Sequence, residues 1–207
     1  IAKRGPWSAK KSYMLIAWDI EGVRFAEPKL KMMGIEAVKS STPAPCRTMI
    51  KDAITIIMNE SEDNVQKYIQ KMRTDFRKMD PAEIAFPRTC NNVDKYSNRL
   101  TIYSKGTPMH VRGSILFNHY LKEKNLLGKY NVINNGEKIK FCYLKNPNPI
   151  HENVISFINE FPKEFGLSQY IDYDLQFEKS FIEPLKAILD SIGWSVEKHI
   201  TLESFFV

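Results

Sequence analysis

The sequence predicts an α+β fold that is mainly helical. Three observations support this prediction. Two strand-like segments lie before residue 28, apolar residues repeat with helical spacing over residues 43–78, and further helical patterns cover residues 111–127 and 168–192. Helices therefore account for most of the predicted regular structure.

The first predicted element is a β-hairpin. Residues 13–18 form a short apolar run with aromatic ends, residues 19–22 have the composition of a turn, and residues 23–27 alternate in polarity. Two helices should follow. Residues 40–43 offer capping hydroxyls and a proline suited to a first helical turn, and Ser61 can cap the second helix. Their predicted apolar faces are Met49, Ile50, Ala53, Ile54 and Ile57, ending near Asn59, and Val65, Tyr68, Ile69, Met72 and Phe76.

Residues 80–109 are predicted to be mainly loop. Pro81, Pro87 and Pro108 break regular structure there, and Gly106 adds a turn signal. A connection of this length is uncommon inside a compact domain and is often functional. The elements predicted after it are a helix over 111–127, a turn over 134–136, a strand over 138–144, a short apolar helix over 154–158, and a long helix over 168–192 that Pro184 should kink.

Composition excludes several classes of protein. The chain has 207 residues, of which 43% are hydrophobic and 12% aromatic, so it can build a core and is neither disordered nor collagen-like. No apolar run approaches the ~18 residues of a membrane span, and the start lacks the apolar core of a signal peptide, so we expect an intracellular protein. Cys46, Cys90 and Cys142 are widely spaced, which favours reduced core thiols over a disulfide framework or a zinc site.

Catalytic motifs are weak in this chain. The four histidines form no H-E-x-x-H motif, and neither a G-x-S-x-G motif nor a phosphate-binding glycine loop occurs. Asp172 and Asp174 have the D-x-D form that magnesium nucleases use, but two residues apart in a predicted helix they would point in different directions. We therefore expect no catalytic residue and no metal site here. A free-standing nuclease that uses these two aspartates is kept as an alternative.

Basic residues concentrate in two stretches. The net charge is +6, with Lys3, Arg4, Lys10 and Lys11 and no acid in residues 1–18, and with Asp94 as the one acid of residues 88–112. Lys10 and Lys11 precede a predicted strand, where a lysine can reach a phosphate or simply be solvated at a sheet edge. The second stretch offers further phosphate and groove contacts: Arg88, Asn91, Asn92, Lys95, Tyr96, Arg99, Lys105, His110 and Arg112.

The chain ends in an apolar cluster. Leu202, Phe205 and Phe206 have the i, i+3, i+4 spacing that places side chains on one side of a helical turn. Such a turn could fill a groove on a partner protein, a frequent mode of peptide recognition. The alternative is that the tail folds back onto the core of its own chain.

These features together resemble a known family. Residues 9–43, AKKSYMLIAWDIEGVRFAEPKLKMMGIEAVKSSTP, are similar to the junction of palm and thumb in T-even-type bacteriophage family B DNA polymerases. The resemblance continues in family order through NNVDKY (91–96), HVRG (110–113), FNHYL (117–121), YIDYDLQFEKSFIEPL (170–185) and the phenylalanine-rich end. It therefore covers almost the whole chain.

The resemblance implies a family B polymerase thumb with a short β-hairpin remnant of the palm. Residues 1–28 would form the palm end and junction, residues 29–193 the thumb, and residues 194–207 a tail that binds the sliding clamp. Lys10, Lys11 and Tyr13 match the family's K-K-R-Y motif, in which Ser12 replaces the arginine, and would contact primer-template duplex DNA. The other residues implied to face DNA are Lys95, Tyr96, His110, Arg112 and Lys179, and Leu202, Phe205 and Phe206 would contact the clamp.

The resemblance also accounts for the weak catalytic motifs. The nucleotidyltransferase reaction needs carboxylates that hold two metal ions, and in this family they lie in palm motifs that this chain lacks. We therefore expect Mg²⁺ only in the palm of the complete enzyme, and a partner chain that carries the exonuclease and palm. The chain would be a fragment or a split subunit of a replicative DNA-directed DNA polymerase. A stand-alone protein or DNA interaction module remains the alternative.

Overall fold

The computed structural model describes residues 2–4, 7–9, 12–20, 22–35, 37 and 39–197. The chain divides into two compact units. The first unit comprises Ile1–Lys78 and Phe177–Val207, and the second unit is the continuous segment Met79–Gln176. The predicted domain boundaries at residues 28 and 193 stay predictions.

A four-stranded antiparallel sheet opens the first unit. Its central strand is β3 (Ser12–Ile20), which pairs with β4 (Val23–Met33) on one edge and with the short strands β1 (Ala2–Arg4) and β2 (Trp7–Ala9) on the other. The turn between β3 and β4 is closed by Gly22, whose amide donates to Asp19 Oδ1 at 3.0 Å. Gly22 has a φ of +82°, which glycine adopts without steric cost. The predicted hairpin is confirmed, although β4 is longer than predicted and β1 and β2 were not predicted.

Both helices predicted for residues 43–78 are confirmed. Helix α1 spans Ala44–Asn59 and helix α2 spans Glu62–Phe76. The five apolar residues predicted for the face of α1 are all buried, as are Val65, Ile69 and Phe76 of α2. Ser61 is the N-cap residue of α2, as predicted, although its side chain makes no capping hydrogen bond. At α1 the prediction is off by one residue, because the N-cap is Pro43 itself, which was expected in the first helical turn.

The long helix predicted for residues 168–192 is interrupted. A short 3-10 turn over Ser168–Tyr170 is followed by α6 (Tyr173–Phe177), a π-helical stretch (Glu178–Ile182) and α7 (Glu183–Asp190). The widened π-helical turn ends two residues before Pro184, which has no N–H to donate to the turn before it. Phe177 packs at the core of the first unit, with its ring 5.1 Å from that of Phe76.

The second unit contains several short elements where the sequence predicts a loop. The prediction of a mainly irregular segment over residues 80–109 is therefore wrong. These elements have two to four residues each, which is too short for a hydrophobic period to be detected. They are α3 (Pro81–Ile84), β5 (Phe86–Thr89), α4 (Val93–Tyr96), β6 (Ser97–Asn98) and β7 (Ile102–Tyr103).

A three-stranded antiparallel sheet and one long helix build the rest of the second unit. The sheet has the order β5, β8 (Lys138–Tyr143), β9 (Val154–Phe157), and α5 spans Met109–Glu123. Strand β8 confirms the prediction for residues 138–144. The short helix predicted over residues 154–158 is wrong, because that segment is β9. All four residues of β9 are buried, so it shows no alternation that would distinguish a strand from a helix.

The three cysteines are unpaired and buried, as the sequence predicts. Burial raises the pKa of the Cys46 thiol to about 11 and also raises that of Cys142, so both stay protonated at neutral pH. Cys46 belongs to the first unit, where its Sγ donates to Ser180 Oγ at 3.2 Å.

Among the described residues, no helix combines the length and the apolar character that crossing a membrane requires.

Candidate nucleic-acid interface

The second basic stretch folds as one surface region of the second unit. It begins at β5, passes through α4 and the β6–β7 hairpin, and ends in the first turn of α5. Of the residues predicted to contact DNA, this region holds Arg88, Asn91, Asn92, Lys95, Tyr96, Arg99, Lys105, His110 and Arg112.

The segment between β5 and α4 is held by the turn before β8. Cys90 donates its amide to Glu137 O at 2.8 Å, and its own carbonyl accepts from Gly136 N at 2.7 Å. The side chain of Asn135 accepts from Val93 N at 2.7 Å and donates to Asp94 Oδ2 at 2.8 Å. Backbone and side-chain bonds therefore fix the start of α4.

Four of the predicted contact residues lie in α4 or directly before it. Asn92 adopts a φ of +63° at the N-cap position, a left-handed conformation that asparagine tolerates better than most residues. Asn91, Asn92 and Lys95 are exposed, while Tyr96 is half-buried. The Lys95 ammonium lies 5.4 Å from the centroid of the Tyr96 ring, within the range of a cation–π contact. A lysine supported in this way presents its charge to solvent from a defined position.

Arg88 and His110 are brought together across β5 and the start of α5. The His110 ring is half-buried, 6.4 Å from the ring of Phe141 on β8. Burial lowers the pKa of His110, and the positive charge of Arg88 lowers it further. His110 is therefore mainly neutral at pH 7, so the positive charge at this position comes from the exposed Arg88.

Arg112 is engaged inside the second unit. Its Nη2 donates to Asn153 Oδ1, its Nε lies 3.9 Å from Glu152 Oε2, and its guanidinium lies 5.7 Å from the Tyr103 ring centroid. Glu152 also accepts from the Tyr103 hydroxyl at 2.6 Å. These contacts tie α5 to β7 and to the segment before β9. Contact between Arg112 and DNA stays a prediction. To bind a phosphate, the Arg112 guanidinium would have to keep or give up the partners that it already has.

The remaining predicted contact residues belong to the first unit or lie outside the described residues. Tyr13 is half-buried on β3, with Trp7 and Met33 as its strand partners. Lys179 lies in the π-helical stretch and forms an ion pair with Glu183. The rest lie outside the described residues, namely Lys10, Lys11, Leu202, Phe205 and Phe206.

A cleft of about 650 Å³ lies beside the β6–β7 hairpin in the second unit. Its lining combines polar and apolar side chains, among them Arg99, His119 and Lys122, four asparagines, three isoleucines and two valines. Asn118 is not available to a ligand there, because its side chain both donates to and accepts from the backbone of Ile133 at 2.8 Å. The cleft is therefore of mixed polarity, with basic residues in its lining.

In the D-x-D motif, Asp172 caps a helix. Asp172 precedes α6 and accepts from Leu175 N at 3.0 Å, as a helix-capping residue does. The prediction that both aspartates lie in a helix is wrong for Asp172, since α6 begins at Tyr173. No group of three histidine, cysteine or acidic side chains within the described ranges could hold a metal ion.

Sequence reasoning missed the most exposed apolar residue of the second unit. Leu100 lies between β6 and β7 with 95% of its surface accessible. The hairpin lacks an Asn-Gly or Asp-Gly turn and its strands have two residues each, so it left almost no sequence signal. Sequence reasoning also missed Glu152 as a partner of Arg112, since nothing in the sequence indicates which distant carboxylate an arginine will contact.

The fold belongs to the class of mixed helical and β proteins. Its second unit displays exposed basic side chains on short helices, strands and turns. The chain is 34% identical over 206 residues to a DNA-directed DNA polymerase of Enterobacteria phage T4, and 33% identical over 207 residues to one of Escherichia phage RB69. Each alignment covers 98% of this chain but only 22% of the relative's length. No family model matches the chain.

Proposed function

We propose that this chain is the thumb part of a replicative DNA-directed DNA polymerase, as a fragment or as a split subunit. In this role it grips primer-template duplex DNA and does not catalyse alone. The observation that carries the proposal is the similarity to two phage DNA polymerases along 98% of the chain. The chain spans about a fifth of those relatives, so the enzyme's remaining functions belong to residues outside this chain.

The surface of the second unit supports a grip on the DNA backbone. Arg88, Lys95, Arg99 and Lys105 are all exposed, and the nearby Asp94 carboxylate is bonded by Asn135. Basic side chains of this kind bind phosphates without reading sequence. A polymerase needs such contacts because it must hold duplexes of any sequence.

The salt dependence of duplex binding tests this proposal. Lys10→Ala/Lys11→Ala should weaken duplex binding. The slope of log affinity against log salt concentration should become less steep by about 0.9 for each phosphate that is no longer bound. Lys145→Ala/Lys163→Ala, which removes two exposed lysines that are not predicted to contact DNA, is the matched control. An unchanged slope in the first variant would remove Lys10 and Lys11 from the interface.

Reconstitution tests the polymerase role itself. This chain is mixed with a chain that supplies the family's exonuclease and palm regions, and primer extension is measured with Mg²⁺ and dNTPs. We expect extension only in the mixture, because the two-metal chemistry needs carboxylates from the palm. No extension with a folded partner that has a complete active site would favour the stand-alone interaction module instead.

We propose further that the C-terminal tail tethers the enzyme to a sliding clamp through Leu202, Phe205 and Phe206. The tail starts from an anchored point in the first unit, where Ser195 donates its amide to Glu62 Oε1 at 2.7 Å and accepts from Gln66 Nε2. Deleting residues 202–207 should abolish clamp binding and leave the melting temperature unchanged. A large drop in melting temperature would favour a tail folded onto its own core.

A further inference from the structure

Leu100 is unusual among the described apolar side chains because almost its whole surface meets solvent. It is 95% accessible, compared with 57% for Val23, 51% for Leu127 and 49% for Met33. A lone exposed leucine on a mobile loop would need no explanation. The hairpin around Leu100, however, is held by hydrogen bonds at its turn and at its base.

The turn that carries Leu100 is fixed by short-range hydrogen bonds. Asn98 Oδ1 accepts from Leu100 N at 2.8 Å and from Thr101 N at 3.2 Å. Tyr103 N donates to Thr101 O at 2.7 Å, and the Thr101 hydroxyl donates to Tyr103 O at 2.9 Å. The intervening Ile102 has a φ of +65°, which is sterically unfavourable for a β-branched residue. Such a conformation persists only where surrounding contacts enforce it.

The base of the hairpin is anchored to the second unit on both strands. On the β6 side, the Ser97 hydroxyl donates to Val93 O at 2.8 Å. Ser104 N, directly after β7, donates to Tyr96 O at 2.8 Å and closes the base of the hairpin. On the β7 side, Tyr103 donates to Glu152 and lies beneath the guanidinium of Arg112. The hairpin therefore holds Leu100 away from the body of the unit.

The charge around the hairpin indicates the kind of partner. Arg99 adjoins Leu100 at the tip, Lys105 follows β7, and Lys95 precedes β6. All three are exposed, and no salt bridge within the described part of the chain engages Arg99 or Lys105. An apolar tip with basic side chains around it suits a nucleic-acid duplex, which has anionic phosphates along its grooves and apolar base faces at the base steps.

We propose that the β6–β7 hairpin enters the minor groove of the bound duplex, with Leu100 against the groove floor and Arg99 and Lys105 on the flanking phosphates. This inference rests on the proposed function and names a contact residue for it. Proteins that bind the minor groove frequently place apolar side chains, leucine among them, at the base steps, with basic side chains beside them. Leucine has no hydrogen-bonding side-chain atom, so it does not read the donors and acceptors on the base edges.

The test compares duplex affinities of full-length variants over a range of salt concentrations. Leu100→Ala should bind about tenfold more weakly, because burying a leucine side chain contributes a difference of that order. Its salt slope should stay that of the wild type, since leucine binds no phosphate. Arg99→Ala should flatten the slope by about 0.9. Leu127→Ala, which truncates a leucine that is 51% exposed elsewhere in the second unit, is the matched control and should bind like the wild type.

The outcomes separate this inference from the proposed function. If the wild type binds duplex with a salt-dependent affinity and Leu100→Ala binds equally well, the hairpin contact is wrong and the proposed grip stands. If the wild type does not bind duplex at all, the proposed function fails. If Leu100→Ala binds duplex normally but binds the partner polymerase chain more weakly, Leu100 is a protein contact and the groove contact is wrong. Equal melting temperatures for Leu100→Ala and the wild type show that the variant is folded.

Discussion

At Gly113, in the middle of α5, the packing of the second unit depends on the absence of a side chain. A Cβ atom at this position would lie 2.5 Å from Ser156 Oγ and 2.8 Å from Ser156 N on β9. The Ser156 hydroxyl is itself occupied, since it donates to His110 O at 2.9 Å. Glycine therefore allows the helix to approach the strand backbone directly.

Replacing Gly113 with alanine should destabilise the protein by about 1 to 3 kcal/mol, because the added methyl group meets a backbone atom that cannot move freely. Gly128→Ala is the control, since nothing lies within 4 Å of the corresponding Cβ, and its effect should stay within about 0.5 kcal/mol. Chemical denaturation of the two variants and the wild type gives the comparison. Equal stability of the two variants would mean that α5 and β9 can separate at little cost.

His110 provides a test of local electrostatics by pH. Its pKa should lie below 6.5, and Arg88→Ala should raise it only part of the way, because burial is the larger cause. Between the folded and unfolded pKa values the unfolded chain binds more protons, so the free energy of unfolding should fall as the pH drops below about 6.5.

NMR titration of the imidazole in the wild type and in Arg88→Ala measures both pKa values directly. Lys163→Ala removes a positive charge elsewhere in the second unit and should leave the midpoint unchanged. A midpoint above 6.5 in the wild type would contradict the burial of this ring.

At the scale of elements, length and periodicity separate the successful predictions from the failures. Helices α1 and α2 each present about four turns of apolar spacing, so their local pattern is unambiguous. Strand β9 has only four residues and is buried on both faces, so the same apolar run fits either a helix or a strand. The hairpin β6–β7 has even shorter strands, and hydrogen bonds at its turn and at its base hold it in place.

Asn98 should control the rigidity of that hairpin. In Asn98→Ala the amides of Leu100 and Thr101 lose their acceptor, so their hydrogen exchange should accelerate about fivefold or more, as expected for a bond of about 1 kcal/mol. The melting temperature should change little, since the hairpin is exposed. Asn91→Ala serves as the control, because the Asn91 side chain makes no hydrogen bond within the described ranges. Unchanged exchange at both amides would show that the turn does not need the Asn98 side chain.

At the scale of the whole molecule, the second unit is a continuous segment with its own sheet, helix and hydrogen-bond network. Gln176 at its end is fully buried, donating to Ile84 O at 2.7 Å and accepting from Tyr143 N at 3.2 Å. The segment Met79–Gln176 should therefore fold when produced alone, with a single cooperative thermal transition.

Gln176→Ala in that segment should lower its free energy of unfolding by about 1 to 3 kcal/mol, since two buried backbone groups lose their partner. Circular dichroism checks both results, and a non-cooperative melt of the segment would contradict its independence.

The candidate site could be located from sequence but not resolved into roles. The clustering of basic residues over 88–112 indicated the candidate DNA-binding segment, because the type of each residue gives its charge. The roles of individual residues depended on partners far along the chain. Glu152 and Asn153 engage Arg112, and the pKa of His110 is lowered by burial and by the charge of Arg88, which keeps His110 mainly neutral.

The sequence by itself determined the β3–β4 hairpin, the helices α1 and α2 and the strand β8, because their patterns are set by neighbouring residues. It also determined which segment carries the excess of basic charge. Only the tertiary structure decided that β9 is a strand, that Gly113 meets Ser156, and that Leu100 is held in solvent. These features arise where segments distant along the chain pack together, and local periodicity holds no information about which distant surface a residue will meet.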